Sequence, residues 1–273
     1  MVTIFINSSL NKNQLLSTEN HKKVYFFSDC HLGIPDAKSS REREKLIVKW
    51  LDEIKEDALE IYIMGDLFDF WFEYKTAIPK GFTRLFGKLA EITDSGIPIH
   101  FFRGNHDIWA FDYFQEELHI QMHRKPEIKQ ILGKTFYLAH GDGLGRGDKG
   151  YKFIKWVFER KINQWLFRWI HPDWGLALGL YFSRKSRYAN EAREEKEKNE
   201  PSFTNILESR MPAYAKSILE SGEEIDYFVM GHWHTIKKFE LQANSQFIFL
   251  GDWITRFSYG VFDGKSFEVK KYR

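Results

Sequence analysis

Five short polar clusters stand out in the chain, each beside a glycine: Asp29-x-His31 before Gly33, Gly65-Asp66-x-x-Asp69, Gly104-Asn105-His106-Asp107, His140-Gly141-Asp142 and Gly231-His232-x-His234. Among them Asp29, His31, Asp66, Asn105, His140, His232 and His234 offer carboxylate, amide and imidazole donors. Such a mixed set suits two divalent metals that share one carboxylate. With no thiolate among the donors, Mn²⁺ is the expected ion, and Fe²⁺, Mg²⁺ or Zn²⁺ would also be compatible. Two metals a few ångströms apart can clamp the attacking and leaving oxygens of a phosphoryl displacement and activate water. Each residue taken singly has an ordinary alternative. An Asp after a strand can cap a helix, and a lone buried His can be a satisfied core imidazole. The metal reading rests on the five clusters converging.

The elements that precede the clusters would bring them together. Val24–Phe27, Ile61–Met64, Ile97–Phe102, Thr135–Ala139 and Tyr227–Met230 are short apolar runs, each ending at one cluster, and read as buried strands. Between the first three, Arg41–Lys55 and Phe82–Ile92 carry apolar residues at helical spacing. Strand, helix, strand, helix, strand is the signature of crossover units around a sheet, whose strand ends carry the chemistry. Phe247–Leu250 adds a strand, and Tyr259–Phe262 with Phe267–Val269 reads as a hairpin through Asp263-Gly264.

Spacing also locates an insertion. The steps from Asp29 to Asp66, Asn105 and His140 are 37, 39 and 35 residues, but His140 to His232 is 92. The excess predicts a helical cap over 148–210, inserted into a core of 1–147 and 211–273. The cap mixes Trp156, Phe158, Trp165, Phe167, Trp169 and Trp174 with Lys152, Lys155, Arg160, Lys161 and Arg168.

Bulk properties narrow the classes. A net charge of +2 over 273 residues implies no nucleic-acid partner. Aromatic content of 17% predicts a large core or apolar surface kept for a greasy ligand. A single cysteine, Cys30, excludes an intramolecular disulfide and suits a reducing compartment. The longest mostly apolar run, Trp174–Phe182, is nine residues, well short of the roughly 20 that span a bilayer. Ile4-Phe5-Ile6 is too short for the apolar part of a secretion signal.

Together the five blocks resemble the signature of calcineurin-like metallophosphoesterases, over residues 24–262. The resemblance implies a four-layer αββα sandwich and a di-metal centre. It assigns Asp29, His31, Asp66 and His234 to one metal, and Asp66, Asn105, His140 and His232 to the other. It makes His106 the donor of a proton or hydrogen bond to the phosphate or leaving group, with Asp107 orienting its ring, a pairing that is sound acid–base chemistry.

A finer likeness is to the UDP-2,3-diacylglucosamine pyrophosphatases of lipid A biosynthesis, which release UMP beneath a helical cap. It rests on His31-Leu32-Gly33, the Asp66–Trp71 run and the position of the insertion. It implies substrate contacts by Asp148, Ser186, Asn190 and Arg193. It further implies an acylated sugar-nucleotide substrate and a cytoplasmic enzyme in peripheral contact with lipid of the inner membrane face, with no protein partner. Where that branch has Arg after the third block's Asn, this chain has His106. Another nucleotide, phosphodiester or phosphomonoester substrate is the alternative.

Overall fold

Strands covered on both faces read as near-continuous apolar runs, and the runs that end at the clusters are of this kind. The structure, a computed structural model, describes residues 22–145, 147, 149–197 and 202–273, without the side chains of 187–209 and 243. The first half of the chain alternates β1 (Lys23–Phe27), α1 (Ala37–Ile54), β2 (Ala58–Ile63), α2 (Thr83–Asp94), β3 (Ile99–Phe102), α3 (Tyr113–Leu118) and β4 (Gln121–His123). The hairpin β5 (Glu127–Ile131) and β6 (Lys134–Ala139) leads to four helices: α4 (Lys149–Glu159), α5 (Lys161–Arg168), α6 (Pro172–Glu197) and α7 (Ser202–Glu220). β7 (Tyr227–Met230), β8 (Ile236–Glu240), β9 (Gln246–Leu250), β10 (Ser258–Phe262) and β11 (Phe267–Lys271) complete the chain. The boundary expected at 210/211 falls inside α7.

The strands form a six-stranded sheet, β11-β10-β1-β2-β3-β4, and a five-stranded sheet, β5-β6-β7-β9-β8. β1 to β4 run parallel, as do β6, β7 and β9. Alternation along each strand divides the core. From β1, Val24 and Phe26 meet Phe136, Leu138, Val229 and Ile248 of the other sheet. Tyr25 and Phe27 point the opposite way, to Ile47, Trp50 and Leu51 of α1 and Leu89 of α2. The second sheet buries Tyr137, Phe228 and Phe249 against Met211 and Ala215 of α7. Helix, sheet, sheet and helix stack as the expected αββα sandwich.

The sequence reading omits β4, β5, β8 and α3. The three strands are all sheet edges: β4 is only three residues long, and β5 and β8 carry charge, as in Glu127-Ile-Lys-Gln-Ile131 and Ile236-Lys-Lys-Phe-Glu240. Charge on an edge strand opposes edge-to-edge association and also erases the apolar run that reveals a strand.

Phe26 is fully buried, with its ring 5.0 Å from Tyr62 and 5.8 Å from Phe136. Phe26→Ala should therefore lower stability by about 3–5 kcal/mol, read as a shift of the urea midpoint. A loss below about 1 kcal/mol would mean that the sheets are not closely packed there.

Candidate metal centre

The first, second and fifth clusters leave their strands through turns that side chains rarely adopt. Asp29, His31, Asp66, His232 and His234 have φ of 54°, 42°, 51°, 68° and 46°. Non-glycine residues in this region carry local strain that the surrounding structure must hold. Here the ladder continues past the strand ends. Asp29 N–H donates to Gly65 C=O and His31 N–H to Asp66 C=O, both at 3.0 Å. The clusters also approach closely enough to require glycine: a Cβ on Gly104 would collide with Asp66, and one on Gly231 with Ser28 and Asp29.

All seven residues predicted as ligands meet at one edge of the sandwich. His31 Nε2 lies 3.7 Å and His234 Nε2 3.2 Å from Asp29 Oδ1, and the two ring nitrogens are 3.1 Å apart. Asp66 Oδ2 faces both His31 Nε2, at 3.6 Å, and His140 Nε2, at 3.3 Å. Asn105 Oδ1 lies 3.3 Å from the same His140 nitrogen, and His232 joins Asp66 and His140 in a second cluster of donor atoms. One oxygen of Asp66 thus stands between two groups, as a shared carboxylate would.

The surroundings orient the donors. His232 N–H and the Ser28 hydroxyl donate to Asp29 Oδ2, the former at 2.9 Å. His106 N–H donates to Asp66 Oδ1 at 2.9 Å. His140 Nδ1–H donates to Met64 C=O at 2.7 Å, which turns Nε2 toward Asp66. Among the described residues of the centre, Asp29 Oδ1 is a buried oxygen without a hydrogen-bond donor. A buried acceptor left in that state is costly, and a cation between Asp29, His31 and His234 would remove the cost. The nitrogen and oxygen donors therefore fit divalent ions.

Charge balance agrees with that fit. Burial works to raise the pKa of Asp29 and Asp66, but the imidazoles facing them outweigh it and hold both carboxyls well below the usual range. Burial opposes charge on His140, yet Asp66 and then Asp29 raise its pKa to about 10. Burial and then the neighbouring His140 push His232 down to about 4.

Asp107 departs from its expected role. Its carboxylate accepts Gly104 N–H at 2.6 Å and Leu67 N–H at 2.8 Å, bracing the turns around Asp66 and Asn105. Burial, with the nearby Asp66, raises its pKa to about 7. The His106 ring is held instead by Asp69, whose C=O accepts from Nδ1–H at 2.7 Å. Asp69 also faces His31 Nδ1 at 3.5 Å. Its place in the second block was the one signal for this role. Of the expected substrate contacts, Ser186 is exposed on α6. Asp148 and the side chains of Asn190 and Arg193 lie outside the described residues.

Residues 22–236 match the model of the calcineurin-like phosphoesterases. A Porphyromonas gingivalis (strain ATCC BAA-308 / W83) protein named UDP-2,3-diacylglucosamine hydrolase is 37% identical over 89% of this chain and 94% of its own. Proteins of the same name from Vibrio atlanticus (strain LGP32) and Stenotrophomonas maltophilia (strain R551-3) are 25% and 28% identical. They cover 91% and 84% of this chain and 96% and 90% of their own.

Two outcomes test the centre. Asp66→Asn should reduce bound metal from about two ions per chain to one or none, measured by elemental analysis after gel filtration; a full complement would remove Asp66 from the ligand set. A His140 ring with pKa about 10 is protonated at neutral pH and must lose that proton before Nε2 can hold a metal. Metal uptake should therefore release protons, and affinity should rise as pH increases toward about 10. Calorimetric titration in two buffers of unlike ionisation enthalpy reads this; equal enthalpies would refute it.

Proposed function

This chain belongs to the calcineurin-like phosphoesterase family, a family of metal-dependent hydrolases, and from that premise we propose that it hydrolyses the pyrophosphate of UDP-2,3-diacylglucosamine. The products are UMP and 2,3-diacylglucosamine 1-phosphate (lipid X), which places the enzyme in lipid A biosynthesis. One observation carries the reading: a helical insertion rich in exposed aromatic residues touches the polar edge of the sandwich. Trp169 and Trp174 are 75% and 74% exposed, and Phe153, Ile162, Trp165, Tyr181 and Phe182 are exposed beside them. Apolar surface of this extent marks a site for a greasy ligand or a membrane. The likeness to the P. gingivalis protein over most of both chains supports the same substrate.

In this reading Asp29, His31, Asp66 and His234 hold one divalent ion, and Asp66, Asn105, His140 and His232 hold the other, with Mn²⁺ the favoured metal. Bound there, the ions supply Lewis-acid polarisation of phosphoryl oxygens and acidify water. The chain's own residues do the rest. His106 carries its ring proton on Nδ1, because the Asp69 carbonyl can only accept. Nε2 then faces the leaving oxygen, and it is from the imidazolium, with a proton on each nitrogen, that Nε2 passes its proton there while Nδ1 keeps its own. Asp148, Ser186, Asn190 and Arg193 contact the sugar nucleotide, and cap aromatics cover the acyl chains. The core is 1–147 with 211–273, and 148–210 is the cap.

The same cap serves membrane contact. Among the described residues no helix is long and apolar enough to cross a membrane. Lys and Arg interleave with the exposed rings, as where Arg160 lies 3.9 Å over Trp156. Cations beside interfacial tryptophans favour an anionic bilayer surface, so the enzyme works at the cytoplasmic face, bound peripherally.

The Mn²⁺-loaded protein should release UMP from UDP-2,3-diacylglucosamine faster than it cleaves p-nitrophenyl esters or cyclic nucleotides. Activity on the small esters alone would sink the lipid reading and favour another phosphoester. In sedimentation, the protein should partition onto vesicles containing anionic phosphatidylglycerol, and Trp169→Ser with Trp174→Ser should weaken that about tenfold or more, an order-of-magnitude expectation for two buried rings. Equal partition of variant and parent would leave these rings without a membrane role.

A further inference from the structure

One face of the cap helix α6 reaches the centre beside His106. Among the described side chains of α6, the buried residues are Gly175, Gly179 and Ser183, each four apart and so on one stripe. A Cβ on Gly175 would collide with Tyr74 and one on Gly179 with the ring of Phe70. The small stripe thus lets the helix backbone lie against the segment that follows the second block. At its end, Ser183 reaches the centre itself.

The Ser183 hydroxyl donates to Asp69 Oδ2 at 2.8 Å and lies 3.0 Å from His106 Nδ1. Nδ1–H is therefore shared between the Asp69 carbonyl, at 2.7 Å, and the Ser183 oxygen. The other carboxylate oxygen of Asp69 faces His31 Nδ1. A single cap hydroxyl touches both the ring of His106 and the carboxylate that faces a metal-site imidazole, and it does so while buried.

We propose that Ser183 is a positioning residue: its hydroxyl, bonded to Asp69 and facing His106, makes the docked cap helix a condition for the ring orientation in which His106 transfers a proton. This deepens the function proposed above and rests on His106 as its proton donor. Without the hydroxyl, Nδ1–H keeps the Asp69 carbonyl, and the Asp69 carboxylate loses one of the donors that set its angle. The ring can then rotate about the remaining contact. Small misplacements of a reacting group lower turnover steeply, and about 1 Å can cost roughly a hundredfold. Substrate binding is served by other groups, so kcat should change and KM should not.

The test uses the full chain loaded with Mn²⁺ and the small diester diphenyl phosphate, whose phenoxide is a poor enough leaving group to need a proton and which does not depend on the acyl-chain reading. Ser183→Ala should lower kcat about tenfold, within the range of acid–base contributions, with KM changed by less than about twofold. Ser183→Thr, which keeps the hydroxyl, should recover kcat to within about threefold. Introduced into His106→Ala, Ser183→Ala should change kcat by less than about twofold, because residues acting through one another are not additive. A repeated tenfold loss in that background would assign Ser183 to the metal side or to folding and overturn the proposal. So would an unchanged kcat in Ser183→Ala alone. An unchanged kcat in His106→Ala would instead remove the acid role itself, and the proposal with it.

Discussion

Two carboxylates, Asp29 and Asp66, stand where the protein admits almost no water, and much of the architecture follows from holding them there. A buried charge without partners costs several kcal/mol even after relaxation. The donors that offset it come from distant parts of the chain. Backbone N–H groups of His106 and His232 reach Asp66 and Asp29, and imidazoles of His31, His140 and His234 face them. These groups follow four different strands. They can meet only if the two sheets stack with those strand ends at a common edge.

That stacking is rigid for ordinary reasons. Large rings fill the layer between the sheets, and Phe26, Tyr62 and Phe136 lie nearly parallel in it. The β1–β2 ladder runs on into the turns, with Met64 N–H donating to Phe27 C=O at 2.7 Å beyond the end of β2. Five left-handed candidate ligand residues are tolerated because hydrogen bonds and packing determine them from both sides. Asp107 belongs to this bracing. Buried and bonded to two backbone N–H groups, it ties the third cluster to the second and leaves the His106 ring to Asp69.

How much of this could be read beforehand depended on where the information sits. Asp29, His31, Asp66, Asn105, His140, His232 and His234 announce themselves because residue type and the apolar run before them are local properties. Edge strands β4, β5 and β8 do not: β4 spans only three residues, and in β5 and β8 solvent exposure on one side replaces apolar residues with charge. The partners of His106 were hidden differently. Asp107 is adjacent in sequence, which made it the natural orienter, yet its carboxylate turns to Leu67, 40 residues back. Ser183 and Asp69 are separated by 114 residues, and nothing local in Tyr-Phe-Ser-Arg marks that serine.

The cap's attachment shows why such distant contacts matter. Its helices expose more aromatic surface than they bury, so little core of their own holds them on the sandwich. Polar tethers to the motif clusters do part of that work. From α4, Tyr151 and Lys155 both reach Asp142, each at 2.6 Å, and from α6 Ser183 reaches Asp69. Each tether ends on a carboxylate next to, or facing, a candidate metal ligand. A cap that shifts must therefore disturb the fourth cluster, the second, or both. Conversely, an apolar ligand that covers the exposed rings stabilises the cap in the position where those carboxylates are satisfied. In the function proposed above, substrate size and chemistry are coupled through geometry: the greasy part of the substrate would act on the helices, which touch His106 and, through Asp69, face His31.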